Sequence, residues 1–114
     1  MAEPITADIV IYGGSFAGVA AAAKASGIAD TWQVLLVAAD PIRQLGSVGT
    51  IGGLNFFDRR TWNGGDPQQG SFSYWRAVQG DFYNTDAMAR QLLSNLTIHA
   101  NLSIVWGYEI EAVA

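Results

Sequence analysis

The sequence predicts an α/β fold in which helices and a mostly parallel sheet form three layers. Two mainly apolar runs, residues 8–12 and 32–38, have the composition of strands buried in a parallel sheet. Between them lies an alanine-rich stretch, residues 16–26, with high helix propensity and with Gly27 where a helix would stop. A strand, a helix and a second strand in this order connect parallel neighbours through a right-handed crossover.

The middle of the chain, residues 39–83, predicts a long loop. It is rich in Gly, Asn, Asp, Gln, Ser and aromatic residues and has no sustained helical or strand period. Loops of this length in a compact domain are usually functional or disordered, and the aromatic residues argue against disorder because they need a surface to pack on. These residues are Phe56, Phe57, Trp62, Phe72, Tyr74, Trp75, Phe82 and Tyr83.

The last part of the chain predicts one helix and two strands. Asn84 or Thr85 can cap a helix that begins near Asp86, and apolar residues then recur at every fourth position on one face. Residues 102–106 predict a third buried strand. Residues 108–113 alternate between apolar and polar side chains and predict a further strand with an open edge.

Composition indicates one unit over residues 1–114, built from the parts 8–38, 39–83 and 84–114. Half of the residues are apolar, but only 14% are charged, against about a quarter in typical domains, so part of the surface is expected to be covered. The net charge of −4 gives no electrostatic reason to expect a nucleic-acid or anionic lipid partner. Cysteine is absent, which excludes disulfides, thiolate metal sites and a cysteine nucleophile.

No targeting or membrane segment is predicted. The first residues lack the pattern of a signal peptide, and no apolar stretch reaches the roughly 18 residues that a membrane span needs. We therefore expect a cytoplasmic protein without a membrane partner. The one histidine, His99, has no ligand or carboxylate partner at a useful spacing, so we interpret it as a packed or solvated side chain and expect no metal site.

Residues 13–18 carry the main functional motif, Gly-Gly-Ser-Phe-Ala-Gly. This is a Gly-x-Gly-x-x-Gly pattern with Ser15 in the place of the middle glycine. Gly13 permits a tight turn, a small residue at position 15 lets the backbone approach a pyrophosphate, and Gly18 lets helix and strand pack closely. The motif follows a predicted strand and opens a predicted helix, which favours a dinucleotide-binding, Rossmann-like unit over a simple glycine turn.

Two blocks of sequence resemble one family of enzymes. Residues 8–22 resemble the opening of FAD-dependent oxidoreductases of the glutathione reductase and succinate dehydrogenase superfamily, whose members begin with a strand, Gly-Gly-(Thr/Ser)-x-Ala-Gly and an alanine-rich helix. Residues 45–54 resemble the family's Leu-Gly-Gly-Met-x-(Thr/Ser)-Ser-Gly-Gly-Leu loop, which runs along the flavin side of the cofactor. The resemblance implies FAD as cofactor and a strand order of three, two, one for this chain.

The resemblance also implies the cofactor contacts. The family's ribose-binding glutamate is replaced by Ala38, so Asp40 is expected to take over part of that contact. Arg43 is a candidate for a phosphate contact, with a plain surface arginine as the alternative. The predicted pyrophosphate contacts are Gly13, Gly14, Ser15, Phe16, Ala17 and Gly18. The predicted contacts on the flavin side are Leu45, Gly46, Thr50, Gly52 and Gly53.

The family's later elements have no counterpart in these 114 residues. We therefore expect a truncated, Rossmann-like FAD-binding part of a larger oxidoreductase, completed by the rest of its chain or by a second subunit and inactive alone. Its small-molecule substrate and catalytic residues are not identified, although residues 58–60 and 74–76 could line a substrate pocket. Two alternatives stay open: an NAD(P)-binding unit, and a non-catalytic remnant or interaction module of the same fold.

Overall fold

The computed structural model of the chain describes residues 4–39, 43–57 and 70–113. The described residues contain three strands, three α-helices and one short 3₁₀ turn. In chain order these are β1 (Ile9–Tyr12), α1 (Phe16–Ile28), β2 (Val34–Ala38), the 3₁₀ turn (Ser47–Gly49), α2 (Gly70–Gln79), α3 (Thr85–Thr97) and β3 (Leu102–Trp106).

The three strands form one parallel sheet in the order β1-β2-β3. Ile9, Val34 and Leu102 lie side by side in its register, and β2 in the centre is buried along its whole length. A continuous apolar run suits such a strand because both of its edges are paired and its side chains are buried. The predicted parallel sheet and its three strands are confirmed, with the order that the resemblance implies.

The core lies between one face of the sheet and the two helices α1 and α3. Leu36 of β2 faces Val19 and Ala22 of α1, and the apolar face of α3 closes over them. Met88, Leu92 and Leu96 are fully buried there, which confirms the spacing of four seen in the sequence. Asn84 caps this helix, because its side chain accepts a hydrogen bond from the N–H of Ala87 at 3.0 Å.

The opposite face of the sheet is not covered by a helix of the described residues. Val10 and Tyr12 are 56% and 45% exposed there. The prediction of three layers is therefore wrong for the part of the chain that the structure describes, which has two. The reason is the strand order: two right-handed crossovers that step in the same direction place both connecting helices on the same face.

Two further predictions are corrected. Residues 39–83 are not a loop throughout, since α2 occupies Gly70–Gln79 and packs against α3 and the start of α1. Residues 108–113 form no strand: Gly107 turns the chain with a φ of 75°, and its N–H donates to the Ala38 carbonyl at 2.7 Å. Alternation alone does not make a strand where no neighbouring backbone supplies the hydrogen bonds.

The connection from α1 to β2 is also tighter than the sequence suggests. The helix continues through Gly27 to Ile28, so the predicted stop at the glycine is one residue early. The buried amide of Asn101, just before β3, lies 3.1, 3.2 and 2.9 Å from the carbonyl oxygens of Ser26, Ala29 and Trp32. This side chain joins the end of α1 to the sheet. Among the described residues, no helix is long and apolar enough to cross a membrane.

Candidate functional site

The glycine loop between β1 and α1 has the geometry that its sequence predicts. Gly13 has a φ of 115°, in the region that favours glycine, and its N–H donates to the Val37 carbonyl at 2.8 Å. A Cβ atom on Gly18 would lie 1.8 Å from the carbonyl oxygen of Gly13. The first glycine therefore makes the turn, and the last one lets the helix approach the strand end closely.

Ser15 caps α1. Its side chain accepts a hydrogen bond from the N–H of Gly18 at 3.3 Å, and no acidic residue lies in the first helical turn. The positive end of the helix dipole is therefore not compensated by a carboxylate of that turn. Phe16 and Ala17 follow at the first two helical positions, where backbone N–H groups have no partner inside the helix. This arrangement suits an anionic group.

The loop of residues 45–54 lies directly against the glycine loop. The N–H of Gly46 donates to the Gly14 carbonyl at 2.7 Å, and Ser15 and Gly46 form a parallel bridge. A Cβ atom on Gly14 would lie 3.1 Å from Leu45 and 3.3 Å from Ala38, so this glycine also serves close packing. The structure thus brings together the two blocks of sequence that carry the family resemblance.

Internal hydrogen bonds stabilise this second loop, residues 45–54. The Thr50 hydroxyl donates to the Leu45 carbonyl at 2.6 Å, and both side chains are buried. Gly46 and Gly53 have φ values of 109° and 78°, and a Cβ atom on Gly52 would lie 2.7 Å from the Cα of Val48. These predicted cofactor contacts therefore have a local structural role, and any contact of Leu45 or Thr50 with a ligand would involve the backbone.

Tyr83 lies just before α3, and its hydroxyl contacts the second loop. Its hydroxyl lies 2.8 Å from the Gly49 carbonyl oxygen and 2.9 Å from the Leu54 carbonyl oxygen. Burial raises the pKa of this tyrosine above its ordinary value because it disfavours the phenolate. The hydroxyl therefore stays protonated at neutral pH and available as a donor.

A cavity of about 870 Å³ opens beside the start of α1. Its walls come from α1, the second loop, α2 and the residues just before α3. The described side chains that line it are all uncharged: Ser15, Phe16, Ala17, Ala20, Gly46, Ser47, Val48, Gly49, Leu54, Phe56, Phe57, Ser71, Phe72, Trp75 and Tyr83. Small-molecule sites have volumes of roughly 300–1,000 Å³, so this cavity has the size of such a site.

Aromatic rings form the back of this cavity. The ring centroids of Phe16 and Trp75 are 5.2 Å apart, and Phe57 lies 5.0 Å from Phe72 and 5.2 Å from Tyr83. Phe57, Phe72, Trp75 and Tyr83 of the middle segment thus pack on each other and on Phe16 of α1. Trp62 lies outside the described residues. Trp75 is buried, and its Nε1 has no hydrogen-bond partner among the described residues.

A second hollow, of about 240 Å³, lies at the carboxyl end of β3. Arg43, Arg90 and Trp106 line it together with Asp86. Arg43 is exposed and has a φ of 57°, while Ala38 is buried at the end of β2 and offers no carboxylate. Asp40, the predicted substitute for the ribose contact, lies outside the described residues.

The sequence-based interpretation missed the contribution of α2 and Tyr83. Phe16 was predicted only as a pyrophosphate contact, yet its ring contacts Trp75 and also prevents any side chain at Gly49, where a Cβ atom would lie 2.0 Å from it. The run of aromatic residues was the available signal, but it did not show which ring meets which. His99 is partly buried and lies near Gly27, away from this cavity.

The segments considered for a substrate pocket divide between two outcomes. Residues 58–60 lie outside the described residues. Of residues 74–76, Trp75 lines the cavity, whereas Tyr74 and Arg76 line other hollows. Arg76 pairs with Asp81 instead.

No family model matches the chain, and no curated protein is similar enough to count as a relative.

Proposed function

We propose that this chain binds FAD and forms the cofactor-binding part of a flavin-dependent oxidoreductase. The observation that carries the proposal is the contact between the two loops. The first loop offers a capped helix start with no acid in its first turn, and the second is bonded to it through Gly46 and Gly14. A pyrophosphate at the helix start would then have the flavin side of the cofactor beside the second loop.

The residues present fit such a group. Gly14 and Gly18 remove the side chains that would keep the strand end, the helix and the second loop apart, and Gly13 allows the turn with its positive φ. Ser15 is partly buried and Ala17 is exposed at the helix start, and both line the apolar cavity next to it. FAD supplies the redox chemistry when it is bound; the chain's own groups position it and exclude water on the apolar side.

One face of the sheet is not covered by a helix of the described residues, and this face supports a role within a larger assembly. Val10 and Tyr12 form part of an exposed apolar surface of a kind that usually marks an interface. The proposed partner is the remainder of the oxidoreductase or a second subunit, which would also contribute to the substrate site.

The test is titration of the chain with FAD, ADP and NADP⁺ by calorimetry, in the original sequence and in two matched variants. Ser15→Asp keeps an N-cap acceptor on α1 but places a negative charge at the proposed pyrophosphate position. Asn84→Asp makes the same kind of change at the cap of α3. We expect the first variant to lose FAD and ADP affinity and the second to keep it; equal affinities would contradict the proposal.

The second hollow favours one other candidate, an NADP-binding unit. A nearby arginine commonly binds the 2′-phosphate of NADP, in place of the acid that binds a free ribose hydroxyl. Ala38 removes the acid at the end of β2, and Arg43 and Arg90 line the hollow at the carboxyl end of β3. Tighter binding of NADP⁺ than of FAD in the same titration, lost on Arg43→Gln, would favour this candidate.

A further inference from the structure

We propose that Tyr83 is a positioning residue of the proposed cofactor site, because its hydroxyl keeps the second loop in the conformation that meets the start of α1. The effect on the loop rests on contacts between described residues. The consequence for cofactor affinity rests on the proposed function.

Tyr83 contacts the second loop at two places. Its hydroxyl oxygen lies 2.8 Å from the carbonyl oxygen of Gly49, in the 3₁₀ turn, and 2.9 Å from that of Leu54, at the end of the loop. Its backbone N–H donates to the Asn55 carbonyl at 3.0 Å, and the side-chain amide of Asn55 donates to the Tyr83 carbonyl at 3.2 Å. One residue therefore joins the middle of the loop to its end.

The loop needs contacts of this kind because burial does little to fix its second half. Residues 51–54 are all exposed. Ser47 has a φ of 48°, a left-handed conformation that is unfavourable for a residue other than glycine. Such a conformation persists only where the surrounding structure imposes it. The Tyr83 hydroxyl contributes to this, since it connects the loop to a part of the chain outside it.

Tyr83 is itself fixed by α2 and α3. It is 6% exposed and directly precedes Asn84, the cap of α3. Its ring centroid lies 5.2 Å from that of Phe57, whose N–H donates to the Asp81 carbonyl at 2.8 Å. The side chain of Asp81 pairs with Arg76 of α2. The tyrosine can therefore act as a fixed point for the loop.

The part of the loop that Tyr83 contacts also meets the start of α1. The ring of Phe16, the first residue of that helix, lies so close to Gly49 that a Cβ atom there would be 2.0 Å from it. The N–H of Gly46 donates to the Gly14 carbonyl at 2.7 Å. A displacement of the 3₁₀ turn would therefore change the contacts of Phe16 and of the glycine loop, where the pyrophosphate is proposed.

The loss of the hydroxyl should lower affinity through the loop. Tyr83→Phe keeps the ring and its packing but leaves the Gly49 and Leu54 carbonyl groups without this donor. The loop then spends more time away from the start of α1. The observed dissociation constant is the intrinsic one divided by the fraction of molecules in the binding conformation, so it rises as that fraction falls.

The test compares the original 114-residue chain with Tyr83→Phe and with a matched control, Val34→Ala. Val34 is buried at the amino end of β2, whereas the glycine loop follows the carboxyl end of β1, so its truncation destabilises the core without a contact to the loop. Urea unfolding establishes that the control is destabilised at least as much as Tyr83→Phe. FAD affinity is measured by calorimetry, and opening of the loop by amide hydrogen exchange.

We expect Tyr83→Phe to weaken FAD binding at least about threefold and Val34→Ala to leave it within about twofold. The amides of Gly52, Gly53 and Leu54, which donate to carbonyl groups within the loop, should exchange faster in Tyr83→Phe but not in the control. Unchanged FAD affinity in Tyr83→Phe, or an equal loss in both variants, would overturn the inference.

A third variant tests whether the donor itself is responsible. Tyr83→p-aminophenylalanine replaces the hydroxyl by an uncharged amine whose two N–H groups can donate to the Gly49 and Leu54 carbonyls. We expect this variant to bind FAD within about twofold of the original chain. An affinity as low as that of Tyr83→Phe would overturn the inference, because the donor would then be present without effect.

Hydrogen exchange separates this inference from the proposed function. If Tyr83→Phe speeds exchange in the second loop but no sample binds FAD, the proposed function fails together with the cofactor role of Tyr83, and its effect on the loop stands. If FAD binds equally well to the original chain and to Tyr83→Phe, the inference fails and the proposed function stands.

Discussion

The helices α1 and α3 have the same length and the same kind of cap, yet the charge of their first turns differs. Each has 13 residues and follows a polar cap, Ser15 or Asn84, that accepts a hydrogen bond from the N–H three residues on. At the second helical position, α3 has Asp86 and α1 has Ala17. One helix start therefore carries its own compensating charge, and the other is left positive.

The buried faces of the two helices differ in the size of their side chains. In α3, large side chains such as Met88 and Leu92 fill the core. In α1 the buried residues are small, and Gly18 leaves no room for a side chain against Gly13. This difference indicates that α3 contributes mainly to the core, whereas α1 is built to bring its start close to the sheet edge and to the second loop.

The largest effect is expected where α1 meets the strand. Gly18→Ala would place a Cβ atom 1.8 Å from the Gly13 oxygen. Backbone must then move, and we expect a loss of about 3 kcal/mol or more in the free energy of unfolding, measured with urea. Gly27→Ala in the same helix is the control, since its Cβ atom would meet only His99 at 3.8 Å and alanine favours helix. Equal losses in both variants would contradict the close-packing role.

The second effect concerns ligand binding at the two caps. Aspartate is as good a cap as serine or asparagine, so Ser15→Asp and Asn84→Asp should both leave the helices intact. A unit charge about 4 Å from a phosphate costs roughly 4 kcal/mol at an effective dielectric constant near 20. We expect FAD affinity to fall at least about tenfold for Ser15→Asp and to stay within about twofold for Asn84→Asp. Calorimetric titration below and above physiological salt checks the electrostatic origin.

A third prediction concerns the hydrogen bonds between the second loop and Tyr83, which lies just before α3. Tyr83→Phe leaves the Gly49 and Leu54 carbonyl groups without the hydroxyl donor, and we expect a loss of about 1–2 kcal/mol in the free energy of unfolding. Because the folded pKa of Tyr83 is raised, its contribution is fully present below about pH 10 and is lost as the pH rises through the folded value.

The alkaline behaviour checks that prediction. Urea unfolding of the original chain should show a steeper loss of stability above about pH 10 than unfolding of the Tyr83→Phe variant. The two slopes should agree at neutral pH, where the hydroxyl is protonated in both the folded and unfolded states. An equal pH dependence of the free energy of unfolding in both proteins would mean that burial does not raise the pKa of Tyr83.

Sequence predicted well those elements whose local signals agree. For β1, β2 and α1, composition, glycine placement and capping all favour the same structure, and the observed bounds differ from the predicted ones by at most two residues. The third strand was predicted with its observed bounds, Leu102–Trp106. The alternation of residues 108–113 failed because a strand depends on a neighbour, which a sequence pattern does not show.

The site residues also differ in whether local sequence predicts their roles. The roles of Gly13 and Gly18 follow from steric rules that act within a few residues, so the motif was sufficient to predict them. The helix α2 depends on Trp75 packing against Phe16, and the Tyr83 hydroxyl reaches a carbonyl 34 positions earlier in the chain. Contacts of that kind are set by tertiary structure, and no local spacing reveals them.

The smallest predicted effect is an exchange of the residues at the second helical position. Ala17→Asp should compensate the dipole of α1 and raise the free energy of unfolding by about 0.3–1 kcal/mol at low ionic strength, since Ala17 is exposed. Asp86→Ala should lower it by a similar amount, because the further contact of Asp86 with Gln44 is long at 3.5 Å. Urea unfolding at low salt and at 1 M salt should show both effects shrink as the charges are screened.

The two variants should also separate stability from binding: Ala17→Asp should weaken FAD binding while it stabilises the chain, and Asp86→Ala should leave binding unchanged. A chain in which Ala17→Asp stabilises and binds FAD as before would show that the start of α1 is not where the phosphates lie.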